Sequence, residues 1–285
     1  MNDSNANVRN VSDTARWVAY FRARETERAD ALFRDRFAER LAGERGFQIA
    51  HTLPEGNKHE WAWATRTYLF DRFLLRGIRD GADVVINLGA GLDARPYRLD
   101  LPSSLRWFDV DLAEILRYKN DILSNEKPKC QLQQIYLDLS HKSERQAFFQ
   151  EVNRTARQVA VLSEGLLIYF AADEVGSLSS DLSASPNFHS WVVDLASPGQ
   201  LKSMQARTGK QLGEAGAPFK FGPQEGPNFF TPFGWEPIDV QGMLKTAALL
   251  QRAPKELLSL LPEPDGIPGE YPWTGVCLLK RTAAA

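Results

Sequence analysis

Residues 85–95 read VINLGAGLDAR, an apolar and partly β-branched run that ends in Gly-Ala-Gly. A short apolar run bounded by glycine is typical of a buried strand. Gly89 and Gly91 follow this strand directly, and because they lack a Cβ the backbone can turn sharply and approach a ligand closely. The stretch therefore predicts a strand and a tight turn, which either holds a small molecule or only redirects the chain.

Further strand candidates follow this turn. A helical pattern over residues 113–126 separates the second candidate from the third, and another over residues 143–157 separates the third from the fourth. Strands that alternate with helices imply βαβ units and a parallel sheet covered on both faces. The predicted fold class is therefore α/β with a doubly wound sheet, in which ligands bind beyond the carboxyl ends of the strands. The further candidates are LRWFDVDL (105–112), CQLQQIYLDL (130–139), QVAVLSEGLL (158–167), HSWVVDLA (189–196), GWEPIDV (234–240) and TGVCLLK (274–280).

The region before the sheet has a helical pattern. Apolar residues recur at helical spacing from Ser12 to about Leu41, which predicts an amphipathic arm that breaks at Gly43 and Gly46. Residues 60–78 predict a second helix. Residues 198–232 are broken by glycine and proline. Within them, residues 205–230 carry aromatic side chains, so we expect this stretch to overhang a pocket suited to an apolar or aromatic small molecule.

Composition narrows the classes of partner. The 285 residues carry 34 Lys and Arg against 36 Asp and Glu, so a net charge of −2 gives no reason to expect nucleic acid or an anionic membrane. No apolar run approaches the roughly 20 residues that span a bilayer. The polar start MNDSNANVRNVSD lacks a secretory signal, which favours a cytoplasmic protein. Cys130 and Cys277 are far apart and are expected to be reduced, buried thiols rather than a disulfide or metal site.

Acidic residues mark the ends of the second and third strand candidates. Asp111 lies 20 residues beyond Gly91, where a carboxylate can accept hydrogen bonds from ribose hydroxyls. Asp111 and Glu114 also spell a capping box, and Asp109 could pair with an arginine. At the third strand end, Asp138 and the Leu139 backbone could meet an adenine amino group, or Asp138 could cap the next helix.

Glu164 follows the fourth strand candidate inside a mostly apolar run. A buried carboxylate needs a cation, so we expect either an arginine in a core ion pair or a cationic ligand beside it. Acids at three strand ends, without a phosphate-binding lysine, favour a positively charged nucleoside and so predict S-adenosylmethionine as the cofactor. A nicotinamide-dependent oxidoreductase is the alternative, because Gly89 to Ala94 fits G-x-G-x-x-A, but Pro96 disfavours a long helix after the turn.

Several stretches resemble, in order and spacing, the motifs of the leucine carboxyl methyltransferase-like family: NLGAGLDARPYRL (87–99), FDVDLAEILRYK (108–119), LDL (137–139) and SEGLLIYF (163–170). The arm RARETERADALFRDRFAERLAG (22–43) with RTYLFDRFL (66–74) is most similar to the bacterial branch that contains polyketide O-methyltransferases. The resemblance implies a class I methyltransferase fold, with a seven-stranded sheet whose last strand inserts antiparallel. It also implies an N-terminal helical lid, expected over residues 1–65, and a cofactor-binding core over residues 66–285.

The resemblance also implies roles for single residues. Arg66 matches the arginine that meets the carboxylate of the cofactor's methionine moiety, although on an amphipathic helix it could be a solvated charge. Glu164 is expected near the ammonium of that moiety, so that Glu164 and Arg66 meet only through the ligand. Arg22 or Arg24 could supply a basic contact from the lid. The full set expected to bind cofactor is Arg66, Gly89, Ala90, Gly91, Asp111, Asp138, Leu139 and Glu164.

The implied reaction is methyl transfer to a carboxylate or hydroxyl of a small molecule, polyketide-like or another secondary metabolite. A sulfonium donor is already activated, so the protein must mainly align an oxygen nucleophile and exclude water. Tyr169 is the candidate catalytic residue for contacting the substrate, with simple packing as the alternative. Methylation of a protein C-terminus and an inactive cofactor-binding protein remain further alternatives.

Overall fold

The computed structural model describes residues 11–52, 59–261 and 269–282. Residues 1–10 and 53–58 of the expected lid lie outside the described residues. Within the described ranges, seven strands form one sheet in the order β3-β2-β1-β4-β5-β7-β6. The strands are β1 (Val84–Leu88), β2 (Arg106–Asp111), β3 (Gln131–Tyr136), β4 (Val159–Ser163), β5 (Phe188–Ala196), β6 (Trp235–Gly242) and β7 (Thr274–Arg281).

Strand directions confirm the predicted topology. β1 to β5 pair in parallel, and β7 inserts between β5 and β6 antiparallel to both. Every residue of β1 and β4 is buried, as expected for central parallel strands with helices on both faces. Chain order reverses between β1 and β4, so a cleft is expected beyond the carboxyl ends of these two strands.

Nine α-helices are described. They are α1 (Val11–Glu27), α2 (Ala38–Thr52), α3 (Glu60–Arg79), α4 (Arg95–Arg98), α5 (Ala113–Leu123), α6 (Lys142–Thr155), α7 (Ala172–Ser183), α8 (Pro198–Glu214) and α9 (Met243–Leu249). Successive residues of β1 face opposite sides of the sheet, so they pack in two different clusters. Ile86 packs with α6 and α7, while Val85 packs with α3. No helix in the described ranges is both long enough and apolar enough to cross a bilayer.

The amphipathic arm predicted from Ser12 to about Leu41 is divided in the structure. It contains α1 and α2 with a reversal between them, where the buried carboxylates of Glu25 and Asp35 accept hydrogen bonds from Leu32 N and Phe37 N. The break predicted at Gly43 is confirmed, because its backbone is not helical and divides α2 into two helical pieces, whereas Gly46 lies inside the second piece. Gly43 kinks α2 with φ +56°, and a Cβ at Gly46 would lie 2.6 Å from the Arg16 carbonyl oxygen of α1.

Helix α8 occupies part of the stretch that looked broken by glycine and proline. Pro198 stands at its first turn, where a missing N–H costs nothing. The Ser197 hydroxyl caps the helix by accepting from Gln200 N at 3.2 Å. α3 begins at Glu60 and runs to Arg79, so the expected boundary between residues 65 and 66 falls inside a helix.

A buried ion pair joins β2 to α5. Lys119 Nζ lies 2.7 Å from Asp109 Oδ2, and both side chains are fully buried. The other Asp109 oxygen accepts the indole N–H of Trp107 at 2.8 Å. The expectation of an arginine partner for Asp109 is therefore wrong, because its partner is the lysine of the next helix.

Lys119→Met is expected to lower the free energy of unfolding by about 3 to 5 kcal/mol, because Asp109 would stay buried without its cation. Urea unfolding followed by circular dichroism measures the loss. Asp109→Asn combined with Lys119→Met removes both charges but keeps an acceptor for Trp107, so it should recover much of the stability. A single-variant loss below about 1 kcal/mol would show that the pair is not a stabilising feature.

Candidate functional site

A cavity of about 490 Å³ opens beyond the carboxyl ends of β1, β2, β4 and β5. α1, the start of α3 and one face of α8 contribute to its wall. This is the place where an open α/β sheet binds ligands. Among the residues predicted from sequence, those that line it are Arg66, Gly89, Ala90, Gly91, Asp111, Glu164 and Tyr169.

The glycine turn after β1 requires its glycines. Gly89 and Gly91 have φ values of +63° and +46°, a region that disfavours side chains. A Cβ at Gly89 would also lie 2.8 Å from the Leu166 side chain. The amides of Gly89 and Ala90 donate to the Val110 carbonyl at 2.9 and 3.2 Å. The turn is thus fixed against the end of β2, and its backbone is exposed toward the cavity.

Asp111 supports this turn. Its carboxylate accepts from Gly91 N and from Leu112 N, both at 2.7 Å. α5 begins at Ala113 with Leu112 as its N-cap and no side-chain cap, so Asp111 and Glu114 form no capping box. Burial raises the pKa of the Asp111 carboxyl, and the two backbone N–H groups offset part of that rise.

Glu164 lies between two guanidinium groups. Arg66 Nε is 3.1 Å from one of its oxygens, and Arg95 Nη1 is 2.8 Å from the other. Arg95 also contacts Asp71 at 2.6 Å and Asp93 at 2.7 Å. Burial opposes ionisation of Glu164, but the charges of Arg95 and Arg66 outweigh it and lower the pKa of the carboxyl. The expectation that Glu164 and Arg66 meet only through a ligand is therefore wrong.

Arg66 is 7% exposed, so it is not the solvated charge considered from sequence. Its guanidinium carbon lies 4.6 Å from the centre of the Trp63 ring. Its Nη1 also contacts Asp194 Oδ2 at 3.2 Å. Sequence reasoning missed Asp194, although an acid inside the apolar run HSWVVDLA is the same signal that singled out Glu164.

Asp194 lies near the carboxyl end of β5 and is a further acid at a strand end. Its second oxygen accepts from Gly165 N at 2.6 Å, across the turn that follows β4. Burial raises the pKa of the Asp194 carboxyl, while the Arg66 charge and the Gly165 N–H act against that rise. Asp194 is also one of the residues that line the cavity.

Tyr169 lies in a short 3₁₀ turn, Leu167–Tyr169. Its hydroxyl is 3.4 Å from Thr14 Oγ1 of α1, and its ring tilts against Phe219 with centroids 5.5 Å apart. Burial raises the pKa of the Tyr169 hydroxyl.

Trp17, Trp63 and Phe219 pack around Phe21 and Leu212 in one cluster. The cavity therefore has a charged floor at the strand ends and an aromatic wall under the arm.

The two lid arginines differ in position. Arg22 lines the cavity, contacts Asp35 at 2.9 Å and donates to the Leu92 carbonyl at 2.6 Å. Arg24 is exposed and pairs with Glu27 at 2.6 Å. Of the two, the structure brings Arg22 to the site.

The structure does not bring the Asp138 and Leu139 pair to this cavity. Asp138 is exposed and accepts from Ser140 N at 2.9 Å, while His141 is the N-cap of α6. Leu139 is buried, lines a separate cavity of about 240 Å³, and its carbonyl accepts from Arg145. A contact of this pair with adenine stays a prediction.

The sheet order, the antiparallel β7 and the strand-end cavity define a class I methyltransferase fold. Two solved structures share it over nearly the whole chain. One is a DUF574 family protein from Streptomyces avermitilis, with a TM-score of 0.60 at 14% identity, covering 95% of this chain and 97% of that one. The other is a candidate methyltransferase from Thermobifida fusca, with a TM-score of 0.54 at 15% identity, covering 99% and 97%.

Residues 15–183 match the leucine carboxyl methyltransferase family, so the chain belongs to that family. A Mycobacteroides abscessus protein named as a candidate S-adenosyl-L-methionine-dependent methyltransferase is 33% identical over 60% of this chain, and the match spans only 61% of that protein's length. A Parafrankia protein with the same description is 28% identical over 87% of this chain and 84% of its own. The family predicted from the sequence motifs is confirmed.

Asp111→Ala is expected to lower the free energy of unfolding by about 1 to 3 kcal/mol, because the Gly91 and Leu112 amides would lose their acceptor. Asp111→Asn keeps a carbonyl oxygen and should lose less. Glu114→Ala is the matched control and should leave stability within about 0.5 kcal/mol. If Glu114→Ala destabilised the chain as much as Asp111→Ala in urea unfolding, a capping box would explain both residues.

Proposed function

We propose that this protein is an S-adenosylmethionine-dependent methyltransferase that methylates a carboxylate or hydroxyl oxygen of a small molecule. The observation that carries the proposal is the convergence of the Gly89 turn, Asp111 and Arg66 on one cavity. The residues fit the cofactor. Gly89 and Gly91 turn the backbone at positive φ beside the cavity, Asp111 places a carboxylate where a ribose is met, and Arg66 offers a buried guanidinium for a carboxylate.

When bound, S-adenosylmethionine supplies a methyl group on an already activated sulfonium centre. Asp111 would hold the ribose, and Arg66 the carboxylate of the amino-acid moiety. Tyr169 and the aromatic wall would orient the acceptor and exclude water. The apolar lining from α8 and the arm favours an aromatic or otherwise apolar acceptor of the polyketide-like kind.

The alternatives are less well supported by the site. The pyrophosphate of a dinucleotide binds at the N-terminus of a long helix. The helix after the glycine turn, α4, has only four residues. A protein C-terminus needs an open groove, whereas the cavity lies beneath α1 and α8. The arm contributes Trp17 and Arg22 to the cavity lining, which supports a lid role for residues 1–65.

Calorimetry with S-adenosylmethionine, S-adenosylhomocysteine and NAD tests the cofactor. We expect binding of the first two and none of NAD, because the strand-end carboxylates suit a cationic nucleoside and repel a pyrophosphate. Turnover of matched aryl acids and phenols, followed by S-adenosylhomocysteine release, then separates carboxyl from hydroxyl methylation. Binding of NAD without binding of the sulfonium compound would overturn the proposed function.

Hydrogen exchange tests the lid. We expect amides of α1 and α2 to gain protection when S-adenosylhomocysteine binds, because closure must shield the sulfonium from water. Helices α6 and α7, on the opposite face of the sheet from α3, are the internal control and should change little. Equal exchange of α1 and α2 with and without ligand would contradict the lid assignment.

A further inference from the structure

Four arginines line the cavity, and they differ in whether a carboxylate contacts them. Arg22, Arg66 and Arg95 each have a nitrogen close to a carboxylate oxygen, at 2.9, 3.1 and 2.6 Å respectively. Arg207, the fourth, makes no ion pair and no hydrogen bond within the described ranges. The positive charge of the Arg207 guanidinium is therefore not neutralised by a neighbouring carboxylate.

Helix α8 brings Arg207 to the edge of the cavity. Gln200, Ser203, Met204 and Arg207 all line it, and their spacing of three and four residues places them on one face of the helix. Arg207 is also exposed to solvent. It therefore lies where the cavity meets the solvent, whereas the three paired arginines are buried.

The aromatic wall also contains hydrogen-bond donors without acceptors. Trp17, Trp61 and Trp63 line the cavity, and their indole N–H groups are buried with no acceptor in the part of the chain that the structure describes. A buried donor without a partner is costly. Together with Arg207, these side chains favour a ligand that brings oxygen atoms and negative charge over a cationic ligand.

A carboxylate on an apolar body matches this surroundings best. Its two coplanar oxygens and single negative charge complement one guanidinium, whereas a phosphate monoester carries nearly two negative charges. Apolar side chains supply much of the remaining lining on this side, among them Phe219, Met243, Leu257 and Leu260. They provide a surface for a ring or chain between the carboxylate and the reacting end of the ligand.

The exposure of Arg207 also decides which end of the ligand it meets. Methyl transfer requires that water be excluded around the reacting oxygen, and Arg207 lies at the solvent-facing edge. A carboxylate bound there is therefore a handle for binding and not the group that receives the methyl.

We propose that Arg207 binds a carboxylate of the methyl acceptor, and that the acceptor is an apolar acid whose carboxylate lies away from the oxygen that is methylated. Arg207 is then a specificity-determining residue, because it selects acids over neutral molecules of the same shape. The proposal rests on the proposed function, since it concerns the acceptor that would share the cavity with the cofactor.

Calorimetry with S-adenosylhomocysteine already bound tests it with three hydroxy acids of increasing length, each compared with its neutral primary amide: 4-hydroxybenzoic acid, 6-hydroxy-2-naphthoic acid and 4′-hydroxybiphenyl-4-carboxylic acid. At least one acid should bind the wild-type protein about three- to tenfold more tightly than its amide, because only the acid pairs with the guanidinium. Arg207→Met should abolish that preference, and Arg207→Lys should keep part of it. Both variants should bind S-adenosylhomocysteine as the wild type does.

Lys210→Met is the matched control, because Lys210 is an exposed cation on the same helix but does not line the cavity. It should keep the preference for the acid. Equal wild-type affinity for every acid and its amide would overturn the proposal, as would a preference that survives in Arg207→Met or disappears in Lys210→Met. Methyl transfer from S-adenosylmethionine to the carboxylate of a hydroxy acid would also overturn it. Failure of the wild type to bind S-adenosylhomocysteine would instead overturn the proposed function.

Discussion

The ion pair between Arg95 and Glu164 is the interaction on which the site depends. A carboxylate buried at the end of a central strand is stable only beside a fixed cation. Arg95 supplies that cation from α4 and is itself held by Asp71 of α3 and by Asp93 of the glycine turn. The Arg95 side chain, which is only 2% exposed, therefore connects α3, the turn after β1 and the turn after β4.

The arm is connected to the same turn. Arg22 of α1 donates to the Leu92 carbonyl, directly after Gly91. Further along α1, the buried Glu25 contacts Arg252, which follows α9 and also contacts Asp30. α1 therefore contacts both the glycine turn and the C-terminal half of the chain. A change in the position of the arm would alter its contact with the glycine turn.

The cavity separates charge from apolar surface. Carboxylates and guanidinium groups lie at the strand ends, where parallel strands bring their carboxyl termini to one edge. Aromatic side chains of the arm and of the loop after α8 lie opposite, with Trp17 and Trp63 in edge-to-face contact at 5.4 Å. Such a division suits a zwitterionic nucleoside on one side and an apolar acceptor on the other.

The sequence determined the seven strands, their βαβ order, the glycine turn and most strand-end acids, because hydrophobic period and glycine chemistry act locally. Its motifs also placed the chain in its family. Other features depended on contacts between distant segments. The arm reverses where the buried Glu25 pairs with Arg252 from the other end of the chain, and Ser197, which caps α8, also bonds the backbone of Tyr271 and Trp273. Only the tertiary structure selected Arg22 over Arg24, gave Glu164 its two arginines and placed Asp194 beside Arg66, since the partner of a buried charge can come from anywhere in the chain.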